Sequence, residues 1–353
     1  MKHFFAILIV GSGMMCAVTS KAQDIHFSQF YENAIYRNPG LTGIFTGDYK
    51  AGVNYRTQWG SISNPFQTVL ASAEGRVAIN KETSDYVSIG LCTSYDHAGA
   101  IDFNSLQVYP AVNYNKSLED RHGSYLSVGF TGGYIQRSVN MSKMTLDEQY
   151  VNGSYSGSNP NGETFNYTKD SHFDLGAGIS FNSTLGRDGR ISYYIGGAAF
   201  HVTKPKAAFN QSESFVRLST KYTGNLGFRC RLNSQIGLIV HANYMHQQPY
   251  QEIITGGLLS WKPLPIEGDQ SKNFVLYAGA FVRMDDAVIP TLKMDYNTYS
   301  FTASYDVTTS SLRPSVSSKG GWEFSFYVRG FSRHKADNMK CPSFEDGLQQ
   351  TVF

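Results

Sequence analysis

Long apolar runs are almost missing from this 353-residue chain. The one present, Phe4-Phe5-Ala6-Ile7-Leu8-Ile9-Val10, stands at the start behind Lys2 and His3 and is followed by Ser20-Lys21-Ala22. A charged lead, a short apolar stretch and small residues ahead of Gln23 describe an export signal over residues 1–22, too short to cross a bilayer as a helix. Cys16 lies inside it, but Gly13-Met14-Met15 is a poor lead-in for lipoprotein processing. No later window approaches twenty apolar residues, so the sequence after the signal offers no helical anchor.

Cysteine is scarce too. Beyond the signal only Cys92, Cys230 and Cys341 remain. Alternation in their segments puts Cys92 on a polar face and Cys230 on an apolar one, and opposite faces of one wall are not bridged without moving backbone. No metal-ligand spacing occurs, so these read as unpaired packing residues. Charged residues are few, 16% with a net charge of +2, and no basic stripe carries interleaved aromatics. That excludes nucleic acid as a partner. Catalytic motifs are absent as well. Gly153-Ser154-Tyr155-Ser156-Gly157 has the wrong context for a nucleophile elbow. His241 and His246 read as wall or rim residues, and Asp285-Asp286 as a turn cap. The expectation is no catalytic, cofactor-binding or metal site.

What is present is alternation. In Tyr299-Ser300-Phe301-Thr302-Ala303-Ser304-Tyr305-Asp306 every odd position is apolar or aromatic and every even one polar. Successive strand side chains point to opposite faces, so a period of two makes one greasy and one polar surface. About fourteen such segments follow one another: 48–58, 67–79, 85–95, 103–116, 123–137, 171–184, 190–202, 218–232, 235–247, 253–262, 273–284, 288–296, 298–307 and 319–332. Even number, roughly ten residues each, 23 Tyr and 23 Phe, and an export signal together predict an all-β outer-membrane barrel. The expected organisation is a signal peptide over 1–22, an N-terminal periplasmic or plug segment over 23–47, a barrel over 48–332 and a periplasmic tail over 333–353.

Strand phase sorts the charges. Lys50, Arg56, Glu74, Arg76, Arg229, Arg231, Lys293 and Asp295 fall on inward positions, where they line water or pair across a filled lumen. Short turns at Asn80–Ser84, Leu185–Gly189, Asn233-Ser234 and Asn297 follow even strands, and longer pieces follow odd ones. Barrels keep short turns in the periplasm, so both termini are expected there. Asn152–Asn166, rich in Gly, Ser, Asn and Tyr, reads as a mobile external loop.

Motifs across nearly the whole mature chain carry a resemblance. They include Gln23-Asp24-Ile25-His26-Phe27-Ser28-Gln29-Phe30-Tyr31, Asn38-Pro39-Gly40-Leu41-Thr42-Gly43, Tyr55-Arg56-Thr57-Gln58-Trp59, and Pro65-Phe66-Gln67-Thr68. His201 with Lys204-Pro205, Arg283-Met284-Asp285-Asp286-Ala287-Val288-Ile289-Pro290, Gly320-Gly321-Trp322-Glu323 and Cys341-Pro342-Ser343-Phe344 complete the set. The chain resembles the PorP/SprF family of type IX secretion and gliding, departing at Gly40-Leu41, in the 138–170 loop and in the Glu345–Phe353 tail. The resemblance implies a non-enzymatic barrel that helps secreted, adhesin-like proteins with a C-terminal targeting domain reach and stay on the cell surface. Its implied partners are that cargo, periplasmic or outer-membrane secretion components, and membrane lipid. An outer-membrane channel or transporter for small or lipid-like solutes is the rival expectation. Phe27, Phe30, Tyr31, Tyr36, Arg37, Asn38, Pro39 and Trp59 are the candidates for plugging the lumen or docking a partner. Asp286 and Pro290 are expected to fix a loop.

Overall fold

The computed structural model describes residues 24–58, 65–80, 82–99, 102–140, 168–186, 189–206, 217–263, 274–310 and 319–331, with a few positions between 143 and 159. Fourteen antiparallel strands close into one barrel. In chain order they are β1 (Tyr49–Gln58), β2 (Phe66–Asn80), β3 (Asp85–Ala98), β4 (Phe103–Ser117), β5 (Tyr125–Ser138), β6 (Lys169–Leu185) and β7 (Ile191–Phe200). There follow β8 (Lys221–Arg231), β9 (Ile236–Gln247), β10 (Tyr250–Trp261), β11 (Phe274–Arg283), β12 (Ala287–Tyr296), β13 (Tyr299–Thr308) and β14 (Lys319–Gly330). Each predicted strand is there, with ends within three residues.

β1 closes the ring on β14, from Tyr49 opposite Gly330 to Gln58 opposite Gly321. Closure follows from the solvent, since hydrocarbon supplies no partner for an open strand edge. The alternation has the predicted phase. Tyr49, Val53 and Tyr55 are exposed on the outer face of β1, and Lys50, Asn54 and Arg56 are buried inside. On β6, Phe173, Leu175 and Ile179 face out while Asp174, Ser180 and Asn182 are buried. Cys92 is buried inside and Cys230 half-buried on the opposite phase, both free thiols.

Two findings differ from expectation. Two connections after odd strands are tight, Gln248-Pro249 and Met284–Asp286, because each is itself turn sequence; Asp285 takes the left-handed conformation at φ 58°. And Pro290 does not sit in a loop. It lies on the outer face of β12, where its missing N–H coincides with a gap in the β12–β13 pairing between Val288 and Thr291. Asp286, by contrast, does sit in the β11–β12 turn, where its carbonyl accepts from Thr309 and Ser310 and its carboxylate from Arg283. The reading of Asn152–Asn166 falls mostly outside the described residues; those described include a two-residue hairpin, Tyr150–Val151 with Ser154–Tyr155.

The segment before β1 fills the barrel. Residues 24–47 form a 3-10 turn at Phe30–Glu32, one helical turn at Ala34–Arg37 and a second 3-10 turn at Pro39–Leu41. None is long enough to stand alone, so the lumen wall holds them. Asp24 meets Lys221 and Gln247, at the long-loop ends of β8 and β9. Asp48 meets Gly330 at the short-turn end. The segment therefore runs the height of the lumen. Asp24 and Gly330 lie at opposite ends of the lumen; both chain termini, expected on the short-turn side, fall outside the described residues.

Candidate functional site

Three sets of contacts fix this plug. At the long-loop end Asp24 is buried against His201, just beyond β7, at 2.7 Å and Lys221 at 2.8 Å. His201 meets Asp174 with its other ring nitrogen, at 2.8 Å. Burial alone would raise the Asp24 carboxyl, but His201 and Lys221 outweigh it and hold it well below the usual carboxylate value. Burial would likewise lower His201, yet the two carboxylates raise it. Together they form a charged latch.

Next, the backbone N–H groups of Ser28 and Gln29 both donate to the buried Glu323 carboxylate, at 2.7 and 3.0 Å. The Ser28 hydroxyl donates to Asp306 at 2.6 Å, and Arg283 donates to that hydroxyl at 2.7 Å. Arg56 ties the His26 carbonyl to Asp306, at 2.5 and 2.9 Å. Burial, with Arg56 and Arg283 close by, pushes the His26 imidazole well down. Its Nδ1 lies 3.6 Å from Glu252. Lower in the lumen Glu32 takes Lys50 at 3.3 Å and Lys293 at 2.7 Å. Each wall charge here has a counter-charge or a plug dipole, the condition for charges to survive burial.

The third set is packing. Tyr31 stacks against His241 (5.0 Å, 9°) and Phe281 (5.1 Å, 24°), which lie 6.5 Å from each other, with Phe30 edge-on to both. Arg37 lies over the rings of Phe30 and Tyr194 and donates to the Tyr194 hydroxyl at 2.8 Å. Phe27 packs with Ile35, Leu70, Cys92 and Tyr109. Asn38-Pro39-Gly40 sits directly against three strand glycines. A Cβ on Gly129 would meet the Pro39 carbonyl oxygen at 2.2 Å, and on Gly178 or Gly196 the Asn38 amide at 2.0 or 2.7 Å. Asn38 spends its amide fully there, accepting from Gly40 at 2.8 Å and donating to the Ile179 carbonyl and Asn225. A space of about 30 Å³ is left between Tyr31, Leu41, Phe45 and the wall, room for roughly one or two waters.

Of the predicted plug candidates, Phe27, Phe30, Tyr31, Tyr36, Arg37, Asn38 and Pro39 meet in the lumen; Trp59 lies outside the described residues. Lys50, Arg56, Glu74, Lys293 and Asp295 are buried inside, and Arg76 donates to the Phe45 and Gly47 carbonyls. Arg229 and Arg231 share the inward phase of Lys221 and Asn225, half-buried toward the short-turn end. Sequence reasoning missed the Asp24–His201 latch and the glycine seat. An isolated signal existed for the second: Gly196-Gly197 reads as a bend in the sheet, but Gly196 is where the Asn38 amide presses in.

The family model for the type IX secretion system membrane protein PorP/SprF matches residues 19–328. No curated protein matches the chain. Solved structures resemble it in overall shape at low identity. A Pseudomonas aeruginosa FadL homologue is 10% identical with a TM-score of 0.47, over 82% of this chain and 92% of that one. The CymD monoaromatic hydrocarbon channel is 11% identical with a TM-score of 0.45, over 89% and 96%. CdiB from Acinetobacter baumannii is 7% identical with a TM-score of 0.38, over 80% of this chain; the chain spans 60% of CdiB.

Proposed function

The chain belongs to the PorP/SprF family of type IX secretion system membrane proteins, and on that premise we propose that it is a non-enzymatic outer-membrane holdfast rather than a pore. Its lumen is stoppered by residues 24–47, leaving the long-loop face to grip exported, adhesin-like proteins through their C-terminal targeting domain. The observation that carries this reading is the filled lumen: inward charges that would line water in a conduit are instead matched to Asp24, Ser28, Gln29 and Glu32 of the same chain. A solute channel would need those contacts broken at each passage, including buried charge pairs costing about 3 kcal/mol or more to split. The long-loop end faces outward, by the rule that barrels keep short turns in the periplasm. The latch and Arg283–Asp306 cluster then brace the strand ends from which the gripping loops spring.

The test is capture. Intact detergent-extracted barrel should retain a tagged C-terminal targeting domain from its own cell's secreted proteins. A barrel lacking residues 24–40 should insert and yet retain none. Equal capture by both would remove the plug from the function; capture by neither would remove the holdfast.

A further inference from the structure

Outside the lumen, a cavity carries positive charge, with no Asp or Glu among the described residues that line it. It has a volume of about 230 Å³ and is lined by Lys204, Arg217, Ser219, Thr220, Tyr222 and His246 among others. Its place on the wall follows from register. Tyr222 pairs with His246, and Gly224 with Tyr244, on neighbouring strands β8 and β9. Tyr222 and Tyr244 are exposed, while Lys221, Thr223, Met245 and Gln247 on the alternate positions are buried in the lumen. The cavity thus opens on the lipid-facing side, at the long-loop rim.

Its cations are held together. Arg217 donates through one terminal nitrogen to the Lys204 carbonyl at 3.1 Å, and a bridge pairs Arg217 with Lys206. Among the described residues neither Lys204 nor Arg217 has a carboxylate within ion-pair distance. The Nδ1 of His246 is buried without a hydrogen-bond partner. Ser219 and Tyr222 also line this space, while Thr220 donates its hydroxyl to the His201 carbonyl at 3.4 Å. Below it the wall turns apolar: Tyr244, then Leu226 opposite Ile195, all exposed. A basic pocket with hydroxyl donors, set over an aromatic rim and an apolar band, matches a phosphate group attached to acyl chains.

We propose that this cavity seats the phosphate of an outer-leaflet glycolipid, whose acyl chains run down the wall along Tyr244, Leu226 and Ile195. Arg217 supplies the planar fork and Lys204 the point charge. The inference rests on the long-loop end being external.

Native mass spectrometry of the full-length barrel tests it, with three probes: a phosphorylated diglucosamine glycolipid, the same lipid without phosphate, and inorganic phosphate as competitor. The wild type should retain the phosphorylated lipid about tenfold or more over the dephosphorylated one, and the Lys204→Gln/Arg217→Gln pair should lose that preference. Insertion is scored separately by heat-modifiable gel mobility, so a failed barrel is not mistaken for a failed site. Undiminished retention by the double variant overturns the proposal. So does saturation by inorganic phosphate with no preference for the phosphorylated lipid, which would assign the pocket to a free anion.

Discussion

At the scale of single residues, the plug is held by buried polar groups whose partners stand on the barrel wall. Asn38 is fully buried and donates to both Ile179 and Asn225, so Asn38→Ala strands the Asn225 oxygen and the Ile179 carbonyl. That should cost about 1–3 kcal/mol of plug stability, read as faster hydrogen exchange across 24–47. Gly129→Ala attacks the same seat from the wall: its methyl collides with the Pro39 carbonyl, which is backbone and has little room to yield. A comparable loss, about 1–3 kcal/mol, is expected with the barrel still closed; unchanged exchange in both variants would contradict the seat. The latch adds a pH dependence. Asp24 is depressed below its ordinary 3.8, so its contribution is complete above that value and lost as pH falls through the folded one. His201 is raised above its ordinary 6.5, so its contribution is complete below 6.5 and lost as pH rises through the folded value. Protection of residues 24–30 should therefore peak between 3.8 and 6.5 and weaken on either side. Lys221→Ala should lower it throughout that window. A flat profile would mean the latch bears no load. The residue types were visible in the sequence, as were the inward phases of Lys50, Arg56 and Glu74. Their partners were not, because an Asp24–Lys221 contact depends on where a segment without periodicity lies in three dimensions.

Among elements, the strands and the plug were unequally legible. A strand in a membrane wall must alternate, since a charge on the lipid side costs about 2–4 kcal/mol near the midplane. That constraint writes itself into every second residue, and all fourteen strands could be read with their facing. The plug obeys no such rule. Phe30–Glu32, Ala34–Arg37 and Pro39–Leu41 are single turns shaped by the wall, and only their density of aromatics and amides marked them. Its course is illegible for the same reason: no pattern in the sequence says that Asp24 reaches the long-loop mouth to meet Lys221. An element prediction follows from Glu32, whose carboxylate holds Lys50 and Lys293. Glu32→Gln removes the carboxylate that Lys50 and Lys293 share and should loosen the whole segment, by about 3 kcal/mol. Limited proteolysis of inserted barrel should then clip within 24–40. Resistance equal to wild type would show that the packing of Tyr31 and Phe30 suffices alone.

For the molecule as a whole, barrel and stopper form one charge-balanced body. A lumen this wide is not filled by wall side chains alone, and the chain supplies its own filling from the stretch preceding β1. The family assignment names the machinery, type IX secretion, and the filled lumen is what supports the proposal that cargo is held at the loop face and does not pass through. Planar-bilayer conductance tests that claim most directly. The account predicts that the wild-type barrel is silent and that deletion of residues 24–40 opens a steady ohmic current through a lumen lined by Lys50, Arg56 and Arg283. Steady current through the wild type, unchanged by the deletion, would contradict it.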